Sequence, residues 1–175
     1  MDLSKDYFSS YDLPIAFQVD LTALVDRHRQ LQQIYHPDRF AVATDAEQRV
    51  AVQITSYLNQ AYGVLRSPLR RAIYLLELQG MEPLAPTNTS MPMDFLLQQM
   101  QLRERMEELP LAADVEAQLD GLADELLIMH NKLQGEFAVA YNDAQFELAE
   151  TVVRKLQFID KLQQECNDLE GRLLD

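Results

Sequence analysis

Every apolar series in this 175-residue chain recurs at helical spacing, and no stretch alternates polar and apolar residues as a half-buried strand does. That property confines the fold to packed helices. After Asp20, the residues Leu21, Leu24, Val25, Leu31 and Tyr35 fall on one side of a helix. Val50, Ile54, Tyr57, Leu58, Ala61 and Leu65 do the same in a second helix, which opens on a capping box formed by Thr44 and Glu47. Ser67 then caps a third helix with Pro68 at its first position and Gly80 just past its end. The stretch "MEPLAPTNTSMPM" holds three prolines and a Thr/Asn/Ser cluster, the composition of a linker. Beyond it, a helix runs from Pro92 to Leu109 and stops at Pro110. A longer one runs from about Ala113 to Ala140, with Gly121 and Gly135 as weak points. "NDAQ" at residues 142–145 reads as a second capping box that opens the last helix. The expected fold is all-α: residues 1–80 with a helical hairpin and short flanking helices, a linker over 81–91, and a three-helix bundle over 92–175.

Charge divides the chain at the same place. Residues 1–80 carry nine acidic and eight basic groups, and residues 81–175 carry nineteen and seven. A strongly acidic second half argues against nucleic acid, whose phosphates need a basic face. It favours protein partners with basic patches. The single cysteine, Cys166, can form no internal disulfide. No apolar run is long enough to span a bilayer, and the acidic start "MDLSKDYF" lacks the apolar region of a secretory signal. The expectation is a cytoplasmic protein with no membrane segment, no cofactor and no metal site.

One motif stands out against this background. Pro37 ends the second helical run, so His36 and Asp38 sit in the loop at the tip of the hairpin. In the plain reading the tripeptide is a helix-ending turn, with Asp38 making a local turn bond. In the functional reading Pro37 fixes the loop, Asp38 offers a carboxylate to an arginine of a partner, and His36 orients it. Arg27, Arg29 and Arg39 add a modest positive face. His28, by contrast, falls on the apolar side of its helix, where it reads as a core or boundary residue.

The arrangement over residues 5–80 resembles a J-domain. A short helix lies near "YFSSYDLP", Arg27 and Arg29 lie on the next helix, the His36-Pro37-Asp38 loop follows, and "NQAYGVL" lies on the third. The resemblance implies docking onto a DnaK-type ATPase chaperone through His36, Pro37, Asp38, Arg27, Arg29 and Arg39. No Gly/Phe-rich linker or zinc repeat is present, so DnaJ itself is not matched. The whole chain instead resembles the HscB family of iron–sulfur co-chaperones, on "LNQAYGVLRSPLRRAIYLLELQG", "DFLLQQMQLRERMEEL" and "VRKLQFIDKL". No Cys-rich extension precedes the J-like region, so the likeness is to the bacterial form. It implies two partners: the chaperone HscA, whose ATP hydrolysis is stimulated, and the scaffold protein IscU, which the C-terminal bundle binds and delivers.

A client site is also visible in the residues themselves. On a helical wheel Phe95, Leu102, Met106 and Leu109 form a core face, whereas Leu96, Leu97 and Met100 point away from it. Glu104, Glu107 and Glu108 follow on the outward side. An outward apolar patch with acidic neighbours suits a partner surface; the alternative is that these side chains pack on a neighbouring element. By resemblance the IscU patch maps to Leu96, Leu97, Met100 and Phe158, rimmed by Glu104 and Glu108, with Gln101 where the family pattern has Glu. Phe158 either belongs to this patch or widens the core stripe of Val152, Leu156, Ile159 and Leu162.

Three other readings compete. An enzyme would need a cleft, a phosphate loop or a nucleophile with its base, and the sequence offers none of these. His130, alone among carboxylates, reads as solvated rather than as a ligand. A helical adaptor whose loop motif is accidental, or a J-protein for another client, would share the same fold.

Overall fold

The computed structural model describes residues 4–85 and 90–173. Part of the expected linker, residues 86–89, lies outside the described residues. All regular structure among the described residues is helical, and the chain forms two compact units, Met1–Leu78 and Gln79–Asp175.

The first unit holds α1 (Tyr7–Ser10), α2 (Leu21–Tyr35), a 3₁₀ turn (Pro37–Phe40), α3 (Asp45–Arg66) and α4 (Pro68–Glu77). Local chemistry sets each start. Asp6 and Asp20 accept from the backbone N–H groups of Ser9 and Ala23. Thr44 and Glu47 close the expected capping box, and Ser67 caps α4 ahead of Pro68. The contacts His28–Tyr62, Gln32–Asn59 and Tyr35–Thr55 run in opposite order along α2 and α3, so the two helices are antiparallel. Phe8, Leu24, Leu58, Leu65 and Leu75 fill the space they share with α1 and α4. Two predicted core positions are instead half exposed, Leu21 at the first residue of α2 and Val50 near the loop, because both lie toward the N-terminal ends of their helices.

His28 is part of this packing. Its ring stacks on Tyr62 with centroids 4.1 Å apart, and its Nδ1 lies 2.8 Å from the Tyr11 hydroxyl. That hydroxyl donates its only proton to the Leu58 carbonyl at 2.8 Å. The imidazole must therefore donate through Nδ1–H. Burial lowers the pKa of His28, which favours this neutral form.

The second unit holds α5 (Met93–Glu108), a 3₁₀ turn (Leu109–Leu111), α6 (Val115–Asn142) and α7 (Phe146–Leu173). Arg105 meets Glu125 and Gln98 meets Met129, so α5 and α6 are antiparallel. Phe95 meets Phe158 and Arg103 meets Glu165, so α5 and α7 run in the same direction. Phe95, Leu102 and Leu109 enter the core against Leu122, Leu126, Phe137, Leu156 and Ile159.

Three local readings differ from the structure. First, α6 spans Val115–Asn142, two residues later than expected at each end, with Asp114 as its cap. Gly121 and Gly135 do not interrupt it, because both sit on its exposed face. Second, residues 142–145 form no capping box. Asn142 belongs to α6, and Ala144 takes a left-handed conformation at φ 56°. The Ala144 and Gln145 N–H groups bond back to the carbonyls of Tyr141 and Ala140, which is a Schellman turn. Third, His130 is half-buried rather than solvated. Its Nδ1 faces Gln134 and its Nε2 is buried without a hydrogen-bond partner.

Candidate functional site

Two features are candidates for function, one in each unit. At the hairpin tip, His36 ends α2 with its N–H bonded to the Gln32 carbonyl, and its extended ψ of 132° turns the chain away. Pro37 opens the 3₁₀ turn at a position where its missing N–H costs nothing. The His36 Nδ1 accepts from the Asp38 backbone N–H at 3.3 Å, so the neutral ring carries its proton on Nε2. The same nitrogen lies 3.5 Å from the Asp38 carboxylate. The Asp38 side chain is 91% exposed. A carboxylate held forward in this way can accept a bidentate arginine from another protein.

The loop is braced by side chains that the sequence reading did not single out. Thr55 on α3 donates to the Tyr35 carbonyl at 3.0 Å, and the Gln48 amide reaches the carbonyls of Ala41 and Ala43. Their signal in the sequence is faint, since a polar residue on a helix is ordinary. Arg39 acts in the same way. Its guanidinium donates to the Gln33 carbonyl at 2.6 Å and so folds back over the end of α2. Arg27 is held by Asp12, while Arg29 remains largely exposed and only loosely paired with Asp26 at 3.9 Å.

In the second unit, a groove of about 780 Å³ lies between α5 and α7. Leu96 (37% exposed), Leu97 (55%) and Met100 (68%) line it, together with Glu104 and Phe158. Phe158 is half-buried, with its ring edge-on to Phe95 at 5.9 Å. Five of the six expected client residues thus meet on one surface. Glu108 does not join them. Eight residues beyond Met100 it has turned about 80° around the helix, and it lines a different hollow with Arg105 and Gln118. Gln101 is likewise off the groove, beside Lys132 and Glu136.

Glu107, read from the sequence as part of the outward acidic stripe, lines the groove too, and Met93, Gln99 and Arg103 line it without having been singled out. Met93 was within reach of the sequence. With Leu96, Leu97 and Met100 it completes an i, i+3, i+4, i+7 stripe. Arg103 was not, because its partner Glu165 lies sixty-two positions away. Among the described residues no group of three or more His, Cys, Asp or Glu side chains could hold a metal ion, and no helix is long and apolar enough to cross a membrane.

Known proteins share this plan. Residues 91–167 match the family model of the HSCB C-terminal oligomerisation domain. A co-chaperone protein HscB homolog of Cupriavidus taiwanensis is 40% identical over 99% of this chain and 98% of its own length. The structure of the chaperone HscB from Vibrio cholerae is similar over 97% of this chain and 99% of that one, at 36% identity and a TM-score of 0.87. The crystal structure of human co-chaperone protein HscB is similar over 97% and 84% of the two chains, at 28% identity and a TM-score of 0.90. With an N-terminal J-domain hairpin and a C-terminal three-helix bundle, the chain belongs to the HscB co-chaperone family.

Proposed function

We propose that this protein is a co-chaperone of iron–sulfur cluster assembly that binds the scaffold IscU through the α5–α7 groove and presents it to the DnaK-type chaperone HscA. His36, Pro37 and Asp38 dock on HscA and stimulate its ATP hydrolysis, with Arg29, exposed and only loosely paired with Asp26, on the preceding helix. Arg27 and Arg39 contribute from positions already bonded within the unit. Leu96, Leu97, Met100 and Phe158 make the apolar contact with IscU, and Glu104 supplies the acidic rim; Glu108 would reach only a client that wraps toward α6. The protein needs no catalytic residue of its own, since the hydrolysis it accelerates occurs in HscA.

The observation that carries this reading is the Asp38 carboxylate, exposed at a braced tip where the neighbouring histidine accepts from the Asp38 backbone N–H. Single-turnover ATP hydrolysis by purified HscA, with and without this protein and with added IscU, is the test. Stimulation that deepens with IscU and disappears in Asp38→Ala is the expected result. Stimulation indifferent to IscU would keep the docking tip and remove the client. An absence of stimulation would return the tripeptide to a helix-ending turn.

A further inference from the structure

Arg103 is a cation at the end of an apolar stripe, where the groove turns acidic with Glu104 and Glu107. It follows Leu96 by seven positions and Met100 by three, and it lines the same groove. An unpaired charge there would be costly to cover with an apolar partner. Two contacts explain its presence. Both terminal nitrogens meet the Glu165 carboxylate on α7, with Nη2 to Oε1 at 3.3 Å and a closer contact from Nη1. The guanidinium carbon also lies 5.6 Å from the centroid of the Phe158 ring, over its face. A paired guanidinium is planar and fixed, and so makes a good platform for an aromatic ring.

Phe158 therefore has a defined setting on two sides. Phe95 meets it edge-on with an interplanar angle of 83°, and Arg103 covers a face. We propose that Arg103 is a positioning residue for client binding: held by Glu165, it fixes the Phe158 ring as the α7 wall of the groove. This rests on the groove being the client site. Glu165 also neutralises the cation, so that Arg103 does not repel a basic client surface. A lysine would keep the charge and lose the planar, two-point grip.

The test measures IscU affinity by calorimetry for Arg103→Met, Arg103→Lys and Glu165→Gln, beside Leu96→Ala. The Phe158 ring resonances and the melting temperature are followed in each variant. Arg103→Met should weaken binding by about fivefold or more, the scale of one lost cation–π contact with some loss of ring order, and should shift the Phe158 signals. Arg103→Lys should fall between this variant and the wild type. If Arg103→Met fails to fold, Glu165→Gln carries the test, with a smaller loss of affinity and a shift of the same ring signals. Unchanged affinity in these variants, with a clear loss in Leu96→Ala, would reduce Arg103 to a tie between helices and leave the groove reading intact. Unmoved Phe158 signals would overturn the positioning role irrespective of any client. No loss in Leu96→Ala would overturn the groove reading itself, and the role of Arg103 with it.

Discussion

Arg27 donates to the Asp12 carboxylate at 2.5 Å, and Asp12 is itself one of two described non-glycine residues at positive φ. The chain thus uses a left-handed turn after α1 to aim a carboxylate at the helix that faces the chaperone in the proposed docking. Aspartate and asparagine tolerate that backbone well, so Asp12→Asn removes the charge while keeping the turn. Because the pair is partly exposed, its loss should change stability by less than about 1 kcal/mol. Arg27 is then free to turn outward, and stimulation of HscA should rise. Urea unfolding and single-turnover hydrolysis check the two halves. A drop in stimulation would show that Arg27 works from its bonded position.

Thr55 braces the proposed docking tip from within the hairpin. Thr55→Val keeps the shape of the side chain and deletes the bond to the Tyr35 carbonyl. The expected loss of stability is about 1 kcal/mol. Stimulation should fall although His36, Pro37 and Asp38 are all present. Equal stimulation by this variant and the wild type would show that the loop keeps its shape on Pro37, Gln48 and Arg39 alone.

Acid should loosen the first unit through His28. Burial holds its pKa in the folded state below the ordinary value, so the unfolded chain takes up the proton first as the pH falls through about 6.5. Stability is complete above that pH and declines below it, until the folded-state pKa is passed. His130 in the second unit has the same sign, with burial lowering its pKa against an opposing pull from Asp160. Thermal unfolding between pH 5 and 7.5 measures the slope. His28→Phe keeps a ring on Tyr62 and should flatten the contribution of the first unit.

The bundle places glycine where alanine would serve, and alanine where glycine would. Gly135 lies inside α6 with open space around a Cβ, and Ala144 holds a left-handed φ. Gly135→Ala should add up to about 1 kcal/mol through helix propensity. Ala144→Gly should add about 1 kcal/mol by relieving the Cβ contact of that conformation. Calorimetric melting tests each substitution singly and then both together. By the helical rise the two positions lie roughly 10 Å or more apart, so their effects should add.

What the sequence disclosed was what neighbouring residues decide. Asp20, Thr44 and Ser67 announce their helices because a cap acts within three or four positions. The outward set of Leu96, Leu97 and Met100 appears because a helix repeats over the same range. The misreadings share the opposite cause. "NDAQ" has the letters of a capping box, but α6 continues to Asn142 and uses the next residues for a turn. Arg71 gives no sign of burial in its own neighbourhood. Yet it donates to the carbonyls of Leu65 and Phe17, the latter fifty-four positions away. Glu108 looks like a continuation of the acidic rim until the packing of α5 on α6 fixes which flank it occupies. Arg103 reads as one more surface charge until α7 brings Glu165 to it.

The α5–α7 groove also has an order of appearance. The Schellman turn joins α6 and α7 through contacts close in sequence, which form early. The groove depends instead on pairings such as Phe95 with Phe158 and Arg103 with Glu165, each more than sixty positions apart. During synthesis α5 leaves the ribosome with its apolar stripe uncovered, and the wall that completes the site arrives only with α7. In the proposed function, competence to hold a client is therefore acquired only once α7 has been made, and a nascent chain that stops short of Phe158 displays the stripe without the groove.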